Sequence, residues 1–279
     1  MSKKLYIGFI YNELIQKAEP LVNKLRTMIP DHYSIWISPG DIINVSPDIL
    51  QETKIIVTAG GDGTILKASR ISSEFNIPIL GINLGRVGFM TELQPENAEK
   101  EIINYLDDSK IEYDSRLMLQ CEIFNTTTSK LLQTHNALND IVISRGSDPK
   151  LLDINTEIDS VDLHTYRADG LIISSPTGTT GYSLAAGGPI ISPNSDVMLL
   201  QPLAAHMNFS KSLVVGKSSI INISLVSKQS ASLIVDGIKE IDFSTDHLLR
   251  IRKSSNSTVF IRKDSKNNFY ATLTNRLLS

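Results

Sequence analysis

The stretch VTAGGDGTILKASR (residues 57–70) passes from a short β-branched run through a glycine-rich loop into a segment with helical spacing. The run at 54–59 has the length of a buried parallel strand, and the residues from Thr64 onward are compatible with a helix. In open α/β sheets, ligands bind just beyond the carboxyl ends of the strands, which is where this loop falls. The stretch therefore predicts a strand–loop–helix unit whose loop is placed to meet a ligand.

Two interpretations of this loop remain open from the local sequence. Gly60, Gly61 and Gly63 can adopt positive φ and let a ligand approach the backbone, and the amides of a helix N-terminus attract an anion. The loop lacks both the Gly-Lys-Ser/Thr sequence of a Walker loop and the G-x-G-x-x-G spacing of the dinucleotide fingerprint. It is either a phosphate-binding loop or a plain turn in which Asp62 caps the helix.

Strand-like and helix-like segments alternate over the first hundred residues. Strands are predicted at 4–11, 33–38, 54–59 and 77–83, and helices at 14–29 and 64–75. This order is typical of a mostly parallel sheet with crossover helices. We therefore expect a Rossmann-like α/β domain over residues 1–108.

The pattern changes near residue 110, where short alternating strands separated by turn-like clusters become dominant. They are predicted at 117–124, 140–145, 152–159, 170–175, 212–216, 220–226, 231–237 and 258–263. Such spacing favours an all-β, sandwich-like domain, here over residues 109–263. Residues 264–279 return to helical spacing and predict a C-terminal helix that packs back on the first domain.

Composition and charge restrict the classes of partner. The chain has 279 residues and a net charge of -3, so it shows no general basic character for nucleic acid. No apolar run approaches the ~18 residues that span a bilayer, so no membrane partner is expected. The single cysteine, Cys121, excludes an intrachain disulfide and indicates a reducing cytoplasm, and its alternating surroundings predict a buried strand residue.

A second dense stretch is ADGLIISSPTGTTGYSLAAGGPIISP (residues 168–193). A strand is followed there by many hydroxyls and glycines, which suit polar contacts with a ligand through backbone and side-chain groups. An ordinary connection rich in turn-forming residues is the alternative. Two such loops in one chain favour ligand binding without defining a reaction.

Five motifs in this order resemble the NAD kinase family over nearly the whole chain. They are GGDGT (60–64), GRVGFMTEL (85–93), ALNDIVISR (137–145), the stretch at 168–193 and VDG (235–237). The GGDGT loop alone is shared with diacylglycerol and sphingosine kinases and with phosphofructokinases, and the combination with 168–193 is more specific.

The resemblance implies a two-domain enzyme that transfers the γ-phosphoryl group of ATP to the 2′-hydroxyl of the adenosine ribose of NAD, giving NADP. It also implies a divalent cation, usually Mg²⁺, and a homodimer or homotetramer. By the same resemblance, Asp62 is the general base that takes the 2′-hydroxyl proton. A ribose hydroxyl is a poor nucleophile, so a carboxylate within hydrogen-bond reach makes chemical sense. No metal ligand is assigned.

The resemblance further implies a set of substrate-binding residues. These are Gly63, Lys67, Asn139, Asp140, Lys150, Arg167, Asp169, Thr180, Gly181, Tyr182, Ser183, Leu184 and Ala185. Asn139 and Asp140 correspond to a pair that holds hydroxyl and adenine groups of the dinucleotide, and Asp169 to a contact with its nicotinamide half. The segment 180–185 corresponds to the lining of the adenine and ribose, with Tyr182 as the aromatic contact.

Several positions depart from the family pattern. Asp140 stands where Glu is usual, Gly181 where Ala is usual, Ala186 where Ser is common, and Ile238 where Gln often follows VDG. Two other functions also remain open, namely a lipid kinase of the same superfamily and a non-catalytic NAD(P)-binding sensor. The stretch at 168–193 and the lack of an amphipathic membrane-facing segment disfavour the first. Asp62 disfavours the second, because a pure binder needs no base.

Overall fold

The computed structural model describes residues 5–40, 43–85, 88–107, 109, 111–206, 210–226, 229–263 and 268–277. The chain divides into two compact units. The first comprises the described parts of Met1–Arg116 and Asn256–Ser279, and the second is Leu117–Ser255. Within the described ranges, every helix is too short or too polar to cross a membrane.

A parallel sheet forms the centre of the first unit. Its strands are β1 (Leu5–Tyr11), β2 (Tyr33–Pro39), β3 (Thr53–Gly60) and β4 (Ile79–Asn83), in the order β2-β1-β3-β4. All three neighbouring pairs are parallel, as the alternating sequence pattern predicted. The helices of this part are α1 (Ala18–Arg26), α2 (Pro47–Gln51), α3 (Asp62–Phe75) and α4 (Pro95–Glu101). Since β3 is almost wholly buried, it appears in the sequence as a nearly continuous β-branched run.

The first helix is shorter than the predicted span 14–29. Its first residue is Ala18, and Pro20 therefore lies in the first turn, where a missing backbone N–H costs little. Upstream, the side-chain oxygen of Asn12 accepts a hydrogen bond from the Leu14 N–H at 3.0 Å. This local hydrogen bond stabilises a turn, which competes with extension of the helix toward the N-terminus.

The second unit is built from antiparallel strands, as predicted. Its strands, two of which extend into the first unit, are β5 (Glu112–Asn125), β6 (Leu131–Ala137), β7 (Asp140–Ser144), β8 (Leu152–Ile158), β9 (Val161–Ala168), β10 (Gly170–Ser174), β11 (Val197–Leu203), β12 (Leu213–Gly216), β13 (Ile221–Leu225), β14 (Ala231–Val235), β15 (Ile238–Phe243) and β16 (His247–Arg262). One sheet has the order β12-β11-β10-β7-β14-β15. In the other, β13 pairs with β8 and β16, and β8 pairs with β9.

The faces of these two sheets share one apolar core. Ile141 and Ile143 of β7 are fully buried in the same cluster as Ile154 of β8 and Ile223 of β13. Cys121, on β5, is fully buried in that cluster, and burial raises the pKa of its thiol to about 12. The sandwich-like arrangement and the buried cysteine are therefore both confirmed.

The last part of the chain belongs to the first unit. Phe260 of β16 pairs in parallel with Ile79 of β4. A short helix, α5 (Tyr182–Ala185), lies in the second unit, and the C-terminal helix α6 is Asn268–Leu277. The ring of Phe269 lies 5.9 Å from that of Phe89, between centroids, so α6 packs on the first unit as expected.

Candidate active site

Asp62 occupies the junction between β3 and α3. It is the first residue of the helix, and Gly61 takes the N-cap position. The Asp62 carboxylate accepts backbone N–H groups from another loop, with Oδ2 3.1 Å from the Phe89 nitrogen and Oδ1 3.1 Å from the Met90 nitrogen. Asp62 therefore does not cap its own helix, and the capping interpretation is wrong. Its side chain is held at a fixed place by a segment 27 to 28 residues away.

The glycines of this region differ in how closely other atoms approach them. A β-carbon on Gly88 would lie 2.4 Å from Oδ1 of Asp62, so only glycine lets the loop come this close. By contrast, a β-carbon on Gly63 would meet open space, which leaves that side of the helix start accessible. Gly60, Gly61 and Gly63 all have φ outside the positive range, so this loop does not use the left-handed backbone that glycine permits.

Lys67 lies one helical turn beyond the loop and is half-buried. Its Cδ is 3.6 Å from the place that a β-carbon on Gly40 would occupy. Gly40 directly follows β2, and its N–H donates to the carbonyl oxygen of Tyr11 at the end of β1. Lys67 and Asp62 thus both lie near carboxyl ends of the parallel strands, where α/β sheets bind ligands.

In the second unit, the backbone of residues 138–140 is held by one carboxylate. Asp236 accepts hydrogen bonds from the N–H groups of Leu138 at 2.8 Å, Asn139 at 2.7 Å and Asp140 at 3.1 Å. The backbone N–H of Asp236 also donates to the Asp140 carbonyl at 3.0 Å. The predicted Asn139–Asp140 pair therefore has a rigid backbone.

The carbonyl side of the same segment is held by the turn after β10. The Ser175 hydroxyl donates to the Leu138 carbonyl, and the Ser175 N–H donates to the Asn139 carbonyl at 2.8 Å. A β-carbon on Gly178 would lie 2.1 Å from the Asn139 carbonyl oxygen, so only glycine fits there. Residues from the 168–193 stretch and from the 137–145 motif are thereby brought together.

The side chains of Asn139 and Asp140 lie beside Gly181. A β-carbon on Gly181 would lie 3.5 Å from Nδ2 of Asn139 and 4.0 Å from Oδ2 of Asp140. The Asn139 Oδ1 is buried and has no hydrogen-bond partner among the described residues. Asp140 is only 6% exposed, and burial, followed by the charge of Asp236, raises its pKa to about 7. These are polar groups that a ligand could satisfy.

The predicted segment 180–185 continues from Gly181 into α5. Tyr182 is 49% exposed, which leaves its ring open for a planar ligand group. Ser183 is buried, and its hydroxyl has no partner among the residues that the structure describes. Thr180 donates its hydroxyl to the Thr177 carbonyl at 3.1 Å. Leu184 is half-buried and Ala185 is exposed.

The remaining predicted residues lie apart from the Asn139–Asp140 pair within this unit. Asp169 forms an ion pair with Arg145, with 2.6 Å between Oδ1 and Nε, and its carbonyl accepts the Arg145 N–H at 3.0 Å. Lys150 lies in an exposed loop, and Arg167 is exposed on β9. The hydrogen bonds of the described residues join none of these three to Asn139 or Asp140. Arg145 was not singled out from the sequence.

Metal ligands were also left unassigned by the sequence. Across the described ranges, no group of three or more His, Cys, Asp and Glu side chains is arranged to hold a metal ion. Mg²⁺ commonly keeps several waters and binds through one or two carboxylates together with substrate phosphates.

Comparison with known proteins covers both units. The family model for the ATP-NAD kinase N-terminal domain matches residues 44–111, and that for the ATP-NAD kinase C-terminal domain matches residues 138–263. An NAD kinase of Dehalococcoides mccartyi is 38% identical over 280 aligned residues, covering 99% of this chain and 96% of the relative. An NAD kinase of Ruminiclostridium cellulolyticum is 33% identical and covers 94% of each chain.

Solved structures agree with the fold. The crystal structure of an NAD kinase from Archaeoglobus fulgidus in complex with ATP has a TM-score of 0.72 and 26% identity, covering 97% of this chain and 98% of that one. A yeast NADH kinase in complex with NADH has a TM-score of 0.85 at 24% identity, covering 99% and 88%. An α/β unit with a GGDGT loop, together with a β-sandwich unit, defines a kinase of the superfamily that shares this loop. The chain belongs to the NAD kinase family, which confirms the prediction made from its motifs.

Proposed function

We propose that this chain transfers the γ-phosphoryl group of ATP to the 2′-hydroxyl of the adenosine ribose of NAD, forming NADP and ADP. The observation that carries the proposal is the position of Asp62. Its carboxylate lies at the start of α3, directly after β3, and two backbone amides hold it there. Family membership over nearly the full length gives this carboxylate its chemical context.

Asp62 is the general base of the proposed reaction. It accepts the 2′-hydroxyl proton while the hydroxyl oxygen forms its bond to the γ-phosphorus and the bond to ADP breaks. A carboxylate oxygen can accept from more than one donor, so the amides of Phe89 and Met90 are compatible with a further bond to the hydroxyl. Most of the rate enhancement in phosphoryl transfer comes from positioning and neutralisation of charge.

The start of α3 and Lys67 supply positive charge on the same unit. The first N–H groups of an α-helix have no partner within the helix and favour a phosphate. Gly63 leaves space beside them, and Lys67 lies one turn further on with its stem packed near Gly40. We assign Gly63 to close approach of the substrate and Lys67 to its negative charge.

The dinucleotide contacts are assigned to the second unit. Asn139 and Asp140 offer one buried unpartnered oxygen and one buried carboxyl, and Gly181 lies beside both. Hydroxyl and amino groups of the dinucleotide suit these acceptors. Tyr182 offers an exposed ring, and the residues further along, Ser183, Leu184 and Ala185, complete this lining together with Thr180. Lys150, Arg167 and Asp169 are proposed as outer contacts, the last through its pairing with Arg145.

ATP and a divalent cation complete the proposed reaction. Mg²⁺ would enter on the ATP phosphates, whose oxygens suit a hard cation. When bound, the metal neutralises phosphate charge during transfer. We also propose that the protein is a homodimer or homotetramer, which the family resemblance supports. A cytoplasmic location is proposed because the single cysteine, Cys121, is free and buried.

The two alternative functions differ from the proposed one in their product. A lipid kinase would phosphorylate diacylglycerol, whereas a sensor would bind NAD(P) without turnover. The similarity to NAD kinases over nearly the full length argues against both alternatives. The test is a coupled assay for NADP with a dehydrogenase specific for NADP, supplied with ATP, Mg²⁺ and either NAD or diacylglycerol. NADP formed from NAD supports the proposal, whereas phosphorylated lipid without NADP contradicts it.

A further inference from the structure

Asp236 lies in a tight turn between two strands of the second unit. Val235 pairs with Ile238, so Asp236 and Gly237 alone form the turn. Their φ values are 48° and 80°. Two consecutive residues with positive φ are the mark of a type I′ hairpin turn, for which Asp-Gly is a preferred sequence. Turn formation therefore explains why an Asp is tolerated here, but it makes no use of the side chain.

The Asp236 side chain instead reaches a distant part of the chain. It is 8% exposed, and its two oxygens accept the N–H groups of Leu138, Asn139 and Asp140, 96 to 98 residues earlier. Buried backbone N–H groups need a partner, and leaving one without a partner costs free energy comparable to a lost hydrogen bond. The turn thus serves as a rigid base for a carboxylate that satisfies three consecutive amides.

The amides that Asp236 holds belong to the segment whose side chains face Gly181. Ser175 fixes the carbonyl groups of Leu138 and Asn139 from the opposite side. With both sides of the peptide planes fixed, the directions of the Cα–Cβ bonds of Asn139 and Asp140 are fixed as well. Neither Asn139 Oδ1 nor Ser183 Oγ has a hydrogen-bond partner among the described residues, so both atoms are available to bind a ligand.

We propose that Asp236 is a positioning residue for dinucleotide binding, acting by holding the backbone of Leu138–Asp140 so that Asn139 and Asp140 point at the ligand. This inference rests on the proposed function. Asp236 does not touch the substrate, and its effect is exerted through the two residues that do.

Asp236 also acts on Asp140 through charge. From β10 and the turn after it, Asp140 faces Ser174 and Gly181, which carry no charge. From the turn after β14 it faces Asp236, whose negative charge adds to the effect of burial in raising the pKa of Asp140. Removing the Asp236 charge must therefore lower the pKa of Asp140. A carboxylate that pointed away from Asp140 would have no such effect.

The test uses two variants that keep the turn and remove the carboxylate. D236N retains a residue favoured in type I′ turns but places an NH₂ group against backbone N–H donors, and D236G retains the backbone freedom without any acceptor. G237A is the control. Alanine at this position is strained by the φ of 80°, although its β-carbon would meet open space. The Asp236 carboxylate is retained in this variant. Michaelis constants for NAD and ATP, kcat and melting temperatures are measured for all three variants and for wild type.

We expect D236N and D236G to raise KM for NAD about 10-fold to 100-fold, the loss expected for hydrogen bonds to a charged group. The KM for ATP should change less than about 3-fold on the same scale. G237A should lower the melting temperature while leaving KM for NAD at the wild-type value. A KM for NAD that is unchanged in D236N and D236G, or raised equally in G237A, would overturn the proposal.

A second measurement does not depend on turnover. Carbon-13 NMR follows the titration of the Asp140 carboxyl in wild type and D236N, with D140N used to assign the signal. A midpoint that moves to lower pH in D236N supports the proposal, and an unmoved midpoint contradicts it. If the wild-type protein forms no NADP, the proposed function fails by itself, and the NMR titration still decides whether Asp236 controls Asp140.

Discussion

Replacing Asp140 by Asn should change how the stability of the protein depends on pH. In the folded protein, burial and the charge of Asp236 raise the pKa of Asp140 from 3.8 to about 7. Because the folded state then binds the proton more tightly than the unfolded state, this group contributes stability at low pH. That contribution is lost as the pH rises through about 7. D140N cannot titrate and lacks this loss.

The size of the effect follows from the shift. A difference of about 3 pH units corresponds to about 4 kcal/mol at 1.36 kcal/mol per unit, of which about 3 kcal/mol falls between pH 5 and pH 8. Over that range the free energy of unfolding of wild type should therefore fall by about 3 kcal/mol relative to D140N.

Urea unfolding followed by circular dichroism, at pH 5, 6, 7 and 8 without ligand, measures this difference. D162N, at an exposed position on β9, is the matched control for loss of one carboxyl. A difference between D140N and wild type that stays constant from pH 5 to pH 8 would refute the reasoning, as would an equal trend in D162N.

Three other substitutions follow from the packing of the described residues. G88A places a β-carbon 2.4 Å from Oδ1 of Asp62, so it should displace that carboxylate and lower kcat at least about 10-fold, measured as NADP formation; wild-type kcat would contradict the assigned contact. G181A places a β-carbon 3.2 Å from the Gly178 carbonyl oxygen, closer than an ordinary van der Waals contact, so differential scanning calorimetry should show a lower melting temperature than wild type; an unchanged melting temperature would show that the Gly178 peptide moves away at little cost. E92Q removes one of two buried carboxylates that pair with Arg262: Glu92 Oε2 lies 3.2 Å from Nη1, and Asp114 Oδ2 lies 3.5 Å from Nε. Because Asp114 still pairs with Arg262, the free energy of unfolding in urea should fall by about 1.5 to 3 kcal/mol, the range for a hydrogen bond to a charged group; a change below about 1 kcal/mol would count against the Glu92–Arg262 contact as an important one.

The parts of the fold that could be predicted from the sequence are those with strong local patterns. The buried strand β3 and the helix α3 were found because an apolar run and helical spacing meet at one glycine-rich loop. The strands β6 and β9 were missed, because most of their residues are exposed and polar side chains hide the alternation. The strand β11 was missed as well; it contains Pro202, which argues against a strand in a sequence.

In the candidate site, too, features set by the local sequence could be predicted and contacts set by the fold could not. Asp62 was predicted because its motif is local, although its actual partners, the amides of Phe89 and Met90, lie in another loop. The hydrogen bonds of the Asp236 carboxylate could not be predicted, because its partners are nearly a hundred residues away and depend on how β7 and β14 pair. The pairing of Asp169 with Arg145 likewise arises from the fold, since β7 and β10 are neighbours in one sheet.

The most direct test of the central claim is the turnover of D62N, measured as NADP formed from NAD, ATP and Mg²⁺, with NAD binding followed by calorimetry on the same preparation. If Asp62 is the general base, kcat should fall by about 10²-fold to 10⁴-fold while the dissociation constant for NAD stays within about 3-fold of wild type. Turnover at the wild-type rate in a folded D62N protein that binds NAD would contradict the assignment.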